Sequence, residues 1–165
     1  MRAVGVDLGD ARIGIALCDS GGTVATPWTK VERCGEEIQD HRRIAALVEE
    51  AEAECVVVGL PLSLDGSIGP AAEKALAEVE RLRAVLGVPV ETYDERLTTV
   101  TAERVLREQG VTGRRRRQVV DQVAASVLLQ AWLDARSTAS ARTCARLPLR
   151  CNFTILIFEY CNIPI

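Results

Sequence analysis

Residues 3–18 read AVGVDLGDARIGIALC and contain two apolar runs separated by a short polar turn. The runs are Ala3–Leu8 and Ile13–Cys18, and the turn between them is Gly9–Arg12. Short apolar runs on either side of a glycine-containing turn predict a β-hairpin. Thr23–Glu32 has the composition of a third strand, which Pro27 is expected to bend or end because proline donates no hydrogen bond to a sheet.

Helices and strands alternate in the remainder of the chain. Cys55–Leu60 is apolar throughout, which is typical of a strand buried in a parallel sheet. The other predicted elements are, in chain order, a helix at Glu36–Glu52, a helix at Pro70–Leu86, a strand at Val88–Tyr93, a helix at Thr98–Gln109 and a helix at Arg115–Arg136. Three strands followed by crossover units predict an α/β domain with a mixed five-stranded sheet and helices on both faces.

The composition is that of a globular protein. The chain has 165 residues, of which 48% are hydrophobic and 26% charged, with a net charge of -3. A chain of this length forms about one domain with a sizeable core. No apolar run reaches the roughly 20 residues of a membrane span, and Asp7 stands where a signal peptide needs apolar residues. We therefore expect a cytoplasmic protein with no membrane partner.

Residues 137–165 differ in composition from residues 1–136. They contain both phenylalanines and, apart from Glu159, no acidic residue. Ser137–Ala145 has the composition of a small polar linker, and Asn152–Ile163 is an apolar, β-prone stretch. The segment is either an added edge strand or a tail outside the core, and the break in composition favours the second. The predicted division is a folded domain at 1–136 and an atypical tail at 137–165.

Three acidic residues stand at positions where a sheet of this kind carries a functional site. Asp7 lies late in the first strand, Glu95 at the end of the last strand and Asp121 in the first half of the final helix. Such sites form at the carboxyl ends of strands, and carboxylates that converge there repel one another unless a cation lies between them. Oxygen ligands without histidine or cysteine suit Mg²⁺ or Mn²⁺. Two such ions about 4 Å apart activate water for phosphodiester hydrolysis.

Each of these acids also has a plain structural interpretation. Asp7 is costly among apolar neighbours unless it has a partner, and that partner is either a cation or the following turn. Glu95 is equally well explained as an exposed acid at a strand end, and Asp94 is an equal contender by position. Asp121 on an amphipathic helix is most often a solvated acid. Of the scattered cysteines none forms a CxxC pair, and His41 has no cysteine or histidine neighbour at zinc spacing.

Arginines are placed close to all three acids. Four consecutive arginines lie about one turn before Asp121, and they either form a solvated helix start or hold a phosphate backbone. The helix dipole disfavours cations at this position, and this misfit slightly favours the second interpretation. Arg12 and Arg96 either pair with the neighbouring acids or contact substrate phosphates. The predicted substrate-binding residues are Arg12, Arg96, Arg114, Arg115, Arg116 and Arg117.

Four blocks of the sequence together resemble the RuvX family, also called YqgF, of bacterial Holliday-junction-resolvase-like proteins and pre-16S rRNA nucleases. The blocks are Val6–Gly9 with Arg12–Ala16, Gly59–Pro61 with Asp65–Gly66 and Gly69–Pro70, Asp94–Thr99 with Ala102–Glu103, and Asp121 with Ala124–Ala125, Leu129–Gln130 and Trp132–Asp134. Each block is weak alone, but all four in order over residues 3–134 are specific. Val79 stands where the family often has an aromatic residue, a difference expected to affect packing more than chemistry.

The resemblance implies a ribonuclease H-like fold and a nuclease site in which Asp7, Glu95 and Asp121 bind the metal ions. The expected function is hydrolysis of phosphodiester bonds in structured nucleic acid with two Mg²⁺ or Mn²⁺ ions, most directly in precursor 16S ribosomal RNA. Cleavage of branched DNA is the near alternative, because composition does not choose between RNA and DNA. The scarcity of aromatic residues favours recognition of shape and phosphates over base stacking. The oligomeric state is not predicted.

Two alternatives from other classes use the same fold. The first is a single-domain nucleotide binder, because kinase-like ATPases contain similar halves. It is disfavoured because those proteins clamp nucleotide between two domains, and residues 1–136 are too few for both. The second is a non-catalytic module that binds RNA through the same face.

Overall fold

The computed structural model describes residues 1–63, 66–95 and 113–141, with side-chain surroundings given for 122–138 in the last range. Its strands are β1 (Ala3–Leu8), β2 (Arg12–Cys18), β3 (Ala25–Glu32), β4 (Cys55–Leu60) and β5 (Val90–Asp94). Its helices are α1 (Glu37–Glu50), α2 (Pro70–Arg83) and α3 (Gly113–Ala141). The five strands form one sheet in the order β3-β2-β1-β4-β5.

The sheet is mixed because the hairpin and the crossover units meet at β1. Strand β1 pairs antiparallel with β2, which pairs antiparallel with β3. On its other side β1 pairs parallel with β4, and β4 pairs parallel with β5. The carboxyl ends of β1, β4 and β5 therefore lie side by side at one edge of the sheet. The predicted hairpin, the buried strand Cys55–Leu60 and the mixed five-stranded sheet are confirmed.

The two faces of the sheet bury separate cores. Side chains alternate between faces along a strand, so neighbouring residues of β1 belong to different cores. One core lies under α1 and α2 and includes Val4, Val6, Ile44, Val48, Val79 and Leu82. The other lies under α3 and includes Ala3, Val57, Ala125, Leu129 and Trp132. The prediction of helices on both faces is thereby confirmed.

Helix α3 packs unusually close to β1 because Gly5 has no side chain. A Cβ on Gly5 would lie 2.8 Å from Leu129 Cβ and 2.9 Å from the Ala125 carbonyl oxygen. Further along the helix, Gln130 accepts a hydrogen bond from the Ala25 N–H at 2.9 Å, at the start of β3. Because β3 begins where β1 begins, α3 runs antiparallel to β1. Its amino-terminal half therefore extends toward the carboxyl end of β1.

Several predicted boundaries shift in the structure. Pro27 does not end β3, which continues to Glu32, but the register with β2 shifts between Ile15 and Ala16, beside the proline. Helix α3 continues beyond Arg136 to Ala141, so the first residues of the expected linker, 137–141, are helical. The predicted helix at 98–109 and the chain after residue 141 lie outside the described residues. The division at residue 136 stays a prediction.

The described helices include none with the length and apolar character needed to cross a bilayer.

Candidate nuclease site at the carboxyl edge of the sheet

The carboxyl groups of Asp7 and Glu95 meet at the carboxyl edge of the sheet. Asp7 is the second-last residue of β1, and its face of the strand is the one that Gly5 presents to α3. Glu95 follows β5 directly, and its backbone N–H donates to the Leu60 carbonyl at 3.1 Å, which extends the pairing of β5 with β4 by one residue. The two side chains reach toward each other across β4 and are joined by a hydrogen bond.

Gly59 of β4 makes room for the Glu95 carboxyl group. A Cβ at Gly59 would lie 3.1 Å from both Cδ and Oε2 of Glu95 and 3.3 Å from Leu128 Cδ2. The Glu95 carboxyl therefore rests on the bare backbone of β4, which Leu128 of α3 also approaches at this point. A larger residue at position 59 would push the Glu95 carboxyl or the Leu128 side chain aside.

The environment of this carboxyl pair favours a bound positive charge. Burial raises the pKa of Glu95, and the hydrogen bond with Asp7 opposes this effect without cancelling it. Burial raises a carboxyl pKa because it disfavours the charged form. Two carboxyl groups in contact share a proton or hold a cation between them, since two bare carboxylates at this distance repel each other. An all-oxygen donor set fits Mg²⁺ or Mn²⁺.

The contact with Asp7 distinguishes Glu95 from Asp94. Asp94 is the last residue of β5 and pairs in register with Leu60, whereas Glu95 carries the carboxyl that lies against Asp7 and over Gly59. Successive residues of an extended chain point in opposite directions. The sequence left these two acids equal, and the structure favours Glu95.

The remaining predicted site residues are placed by their backbone or lie outside the described part of the chain. Asp121 is in α3, about one helical turn before Ala125, on the side toward the carboxyl end of β1. Arg12 is the first residue of β2 and follows the turn that joins β1 to β2. The four consecutive arginines, 114–117, occupy the first turn of α3. The surroundings of those four side chains and of Asp121, and residue 96 as a whole, lie outside the described residues.

An exposed ion pair lies at the rim of the site. Lys74 of α2 donates to Asp10 in the β1–β2 turn at 2.6 Å. This hydrogen bond and the ammonium charge hold the pKa of Asp10 below its usual value. Because both side chains are largely exposed, we expect this pair to contribute little to stability.

A second polar cluster lies on the opposite face of the sheet and was not predicted. Glu37, His41 and Glu78 have ligand-type atoms that all lie within 4.8 Å of one another. Arg33 donates to both carboxylate oxygens of Glu78 at 2.6 and 3.1 Å, and Arg81 donates to both of Glu37 at 2.5 and 3.2 Å. Guanidinium groups thus already neutralise both carboxylates, which argues against a metal ion here.

The spacing of Glu37 and His41 was the only signal in the sequence for this cluster. Residues four apart on a helix lie on the same face, so these two were predictable neighbours. Glu78 and Arg33 reach them only through the packing of α2 and of the segment after β3.

The fold and this edge of the sheet define a class of protein. Two structures of Thermus thermophilus RuvC are similar to the chain. One has a TM-score of 0.50 and 19% identity, and the other, RuvC in complex with Holliday junction substrate, has a TM-score of 0.55 and 20% identity. Both matches cover 84% of this chain. They cover 97% of the first RuvC chain and 96% of the second. At that identity the similarity shows the fold, which is the predicted ribonuclease H-like one.

The family is given by sequence. The profile of RuvX, described as Holliday junction resolvase, matches residues 1–135. A protein of Rhodococcus opacus named "Putative pre-16S rRNA nuclease" is 51% identical over 140 residues, covering 82% of this chain and 79% of that relative. A protein of the same name from Desulforudis audaxviator is 44% identical over 138 residues, covering 84% and 97%. The chain belongs to the RuvX family, as its four sequence blocks predicted.

Proposed function

We propose that this chain is a metal-dependent nuclease that hydrolyses phosphodiester bonds in structured nucleic acid, with precursor 16S ribosomal RNA as its substrate. The observation that carries the proposal is the partly buried contact between the carboxyl groups of Asp7 and Glu95 at the carboxyl edge of the sheet. The relatives that share about half of the sequence carry the rRNA nuclease name, which favours RNA. The family description favours branched DNA as the second candidate.

Asp7, Glu95 and Asp121 would hold one or two Mg²⁺ or Mn²⁺ ions. Ions bound in this way supply an activated water and stabilise the leaving oxygen of a phosphodiester. The chain's own contribution is to fix the carboxylates on rigid elements, two at strand ends and one on α3. Helix α3 also lines the site, because Leu128 approaches β4 at Gly59, where the Glu95 carboxyl lies.

The arginines at the start of α3 are proposed to bind the phosphate backbone. Replacing arginines 114–117 with alanine should weaken nucleic-acid binding and lower its dependence on salt, by about 1 in the log–log slope for each phosphate contact removed. Binding measured at several salt concentrations tests this. An unchanged slope would assign the four arginines to a solvated helix start.

Cleavage assays on the full chain test the proposal. Substrates are a precursor 16S rRNA fragment, a four-way DNA junction and linear duplexes of both kinds, with Mg²⁺ or Mn²⁺. Wild type is compared with Asp7→Asn and with Asp10→Asn, a matched control in the turn after β1 whose carboxylate is exposed and paired with Lys74. We expect cleavage of the RNA by wild type and Asp10→Asn but not by Asp7→Asn.

Other outcomes identify the alternatives. Preferential cutting of the junction, still dependent on Asp7, would indicate a DNA resolvase. Binding without cutting, equal in wild type and Asp7→Asn, would indicate a non-catalytic module.

A further inference from the structure

Arg33 links the turn after Asp7 to the opposite face of the sheet. It follows β3 directly, and its backbone N–H donates to the Ala11 carbonyl at 3.1 Å. Its side-chain Nε donates to the Gly9 carbonyl at 3.0 Å. Arg33 therefore holds the β1–β2 turn at two points, Gly9 and Ala11, which lie two and four residues after Asp7.

The other end of the Arg33 side chain is anchored on a helix. Both terminal nitrogens of its guanidinium donate to the Glu78 carboxylate of α2, which is only 6% exposed. His41 of α1 lies 3.4 Å from the same carboxylate and is 1% exposed. The planar fork of arginine makes all three bonds at once, to one carbonyl and two carboxylate oxygens, which lysine cannot do.

The cost of burying this ion pair suggests a role other than stability. Removing a guanidinium and a carboxylate from water costs several kcal/mol each, and apolar pairs of similar volume are often as stabilising or more so. The β1–β2 turn, in contrast, has to be fixed in one place if the Asp7 carboxyl is to meet Glu95. A turn whose own backbone bond runs from the Gly9 N–H to the Asp7 carbonyl, at 3.1 Å, transmits its position directly to Asp7.

We propose that Arg33, held by Glu78, is a positioning residue that fixes the β1–β2 turn and thereby the Asp7 carboxyl in the geometry that binds a divalent cation. The expected effect on cation binding rests on the proposed function, but the fixing of the turn can be measured without any metal. Residues that orient metal ligands from outside the ligand set typically change metal affinity by 10- to 100-fold when replaced.

The test compares full-length variants by two measurements. The first is hydrogen exchange of the amides of residues 9–12 in metal-free protein. The second is Mn²⁺ affinity, from the spectroscopic signal of free Mn²⁺, with Asp7→Asn as the reference for loss of the site. The variants are Arg33→Lys and the apolar pair Arg33→Met with Glu78→Leu. The matched control is Arg81→Lys, which alters the exposed end of the same cluster and has no bond to the turn.

We expect Arg33→Lys to speed exchange in the turn and to weaken Mn²⁺ binding about 10- to 100-fold, whereas Arg81→Lys changes neither. The apolar pair separates positioning from stability. It should unfold at the same temperature as wild type or higher, yet exchange fast in the turn and bind Mn²⁺ weakly. If exchange and affinity stay at wild-type values in this stable pair, the proposal is wrong.

The outcome also separates this inference from the proposed function. If wild type shows no Mn²⁺ binding that depends on Asp7, the proposed metal site fails, and with it the consequence for Asp7. Hydrogen exchange in the turn then decides the remaining claim. Fast exchange in the apolar pair supports the proposal that Arg33 fixes the β1–β2 turn, and unchanged exchange overturns it.

Discussion

The two faces of the sheet bury carboxylates in opposite ways. On the side of α1 and α2, the buried Glu78 carboxylate of α2 is paired with both terminal nitrogens of Arg33. On the side of α3, the Glu95 carboxyl is partly buried against another carboxyl, that of Asp7. The first arrangement is electrically complete within the chain, while the second is suited to a cation from solution. The comparison indicates that a carboxyl beside a guanidinium needs no further cation, whereas a carboxyl beside another carboxyl is a candidate for binding one.

The largest expected effect separates the two neighbouring acids at the end of β5. Glu95→Gln removes a carboxylate that touches Asp7, and cleavage should fall by about 10³-fold or more, since metal-assisted stabilisation is worth several kcal/mol. Asp94→Asn is the matched control and should retain most of the activity. Rates under single-turnover conditions measure both. A larger loss of activity in Asp94→Asn than in Glu95→Gln would assign the site to Asp94 and contradict the contrast between the two faces.

On the other face the expected effect is on stability. Glu78→Gln leaves the Arg33 guanidinium without its carboxylate, and removing one partner of a buried ion pair destabilises by about 3 kcal/mol or more. Glu80→Gln, two residues along the same helix, removes an exposed partner of Arg83 and should change stability by less than about 0.5 kcal/mol. Urea unfolding distinguishes the two. Equal small losses would show that the pair under α1 and α2 is no more than a surface contact.

Gly59→Ala tests the site without replacing a charged residue. The added methyl group would lie 3.1 Å from the Glu95 carboxyl carbon, so the carboxyl has to move. We expect Mn²⁺ affinity to fall about tenfold and stability by about 1 kcal/mol or more, as for other overpacked positions. Gly87→Ala is the control, because nothing lies within 4 Å of its added Cβ. An unchanged Mn²⁺ affinity would show that the position of Glu95 is not tightly set by β4.

The sequence predicts much of this arrangement, and its limits have physical reasons. The hairpin and the buried β4 follow from apolar patterning, which is local. The strand-end positions of Asp7 and Glu95 follow from the same elements, so their convergence was predictable from topology. The choice between Asp94 and Glu95 was not predictable, because it depends on which of two adjacent side chains lies over Gly59. The role of Arg33 was not predicted, because its partners Gly9 and Glu78 lie far from it along the chain.

The smallest expected effect concerns stability of the metal-free site. Burial raises the pKa of Glu95 in the folded protein, so ionising this carboxyl costs folding free energy. The stability that the protonated carboxyl contributes is therefore fully present below the pKa of Glu95 in the unfolded state. It is lost as the pH rises through the raised pKa of the folded state. Glu95→Gln carries no such charge. In EDTA at pH 8 we expect this variant to be more stable than wild type by about 1 kcal/mol, or roughly 2–4 °C.

The difference in stability between Glu95→Gln and wild type in EDTA should shrink as the pH falls to 4. At pH 8, added Mn²⁺ should make wild type the more stable of the two. Added Mn²⁺ stabilises wild type by binding only the folded state, whereas the variant lacks a ligand. Thermal unfolding at the two pH values, with EDTA and with Mn²⁺, measures all four combinations. Asp94→Asn serves as the control and should follow wild type throughout. If Glu95→Gln is instead less stable than wild type in EDTA at pH 8, the Asp7–Glu95 contact stabilises the fold, and the contrast between the two faces disappears.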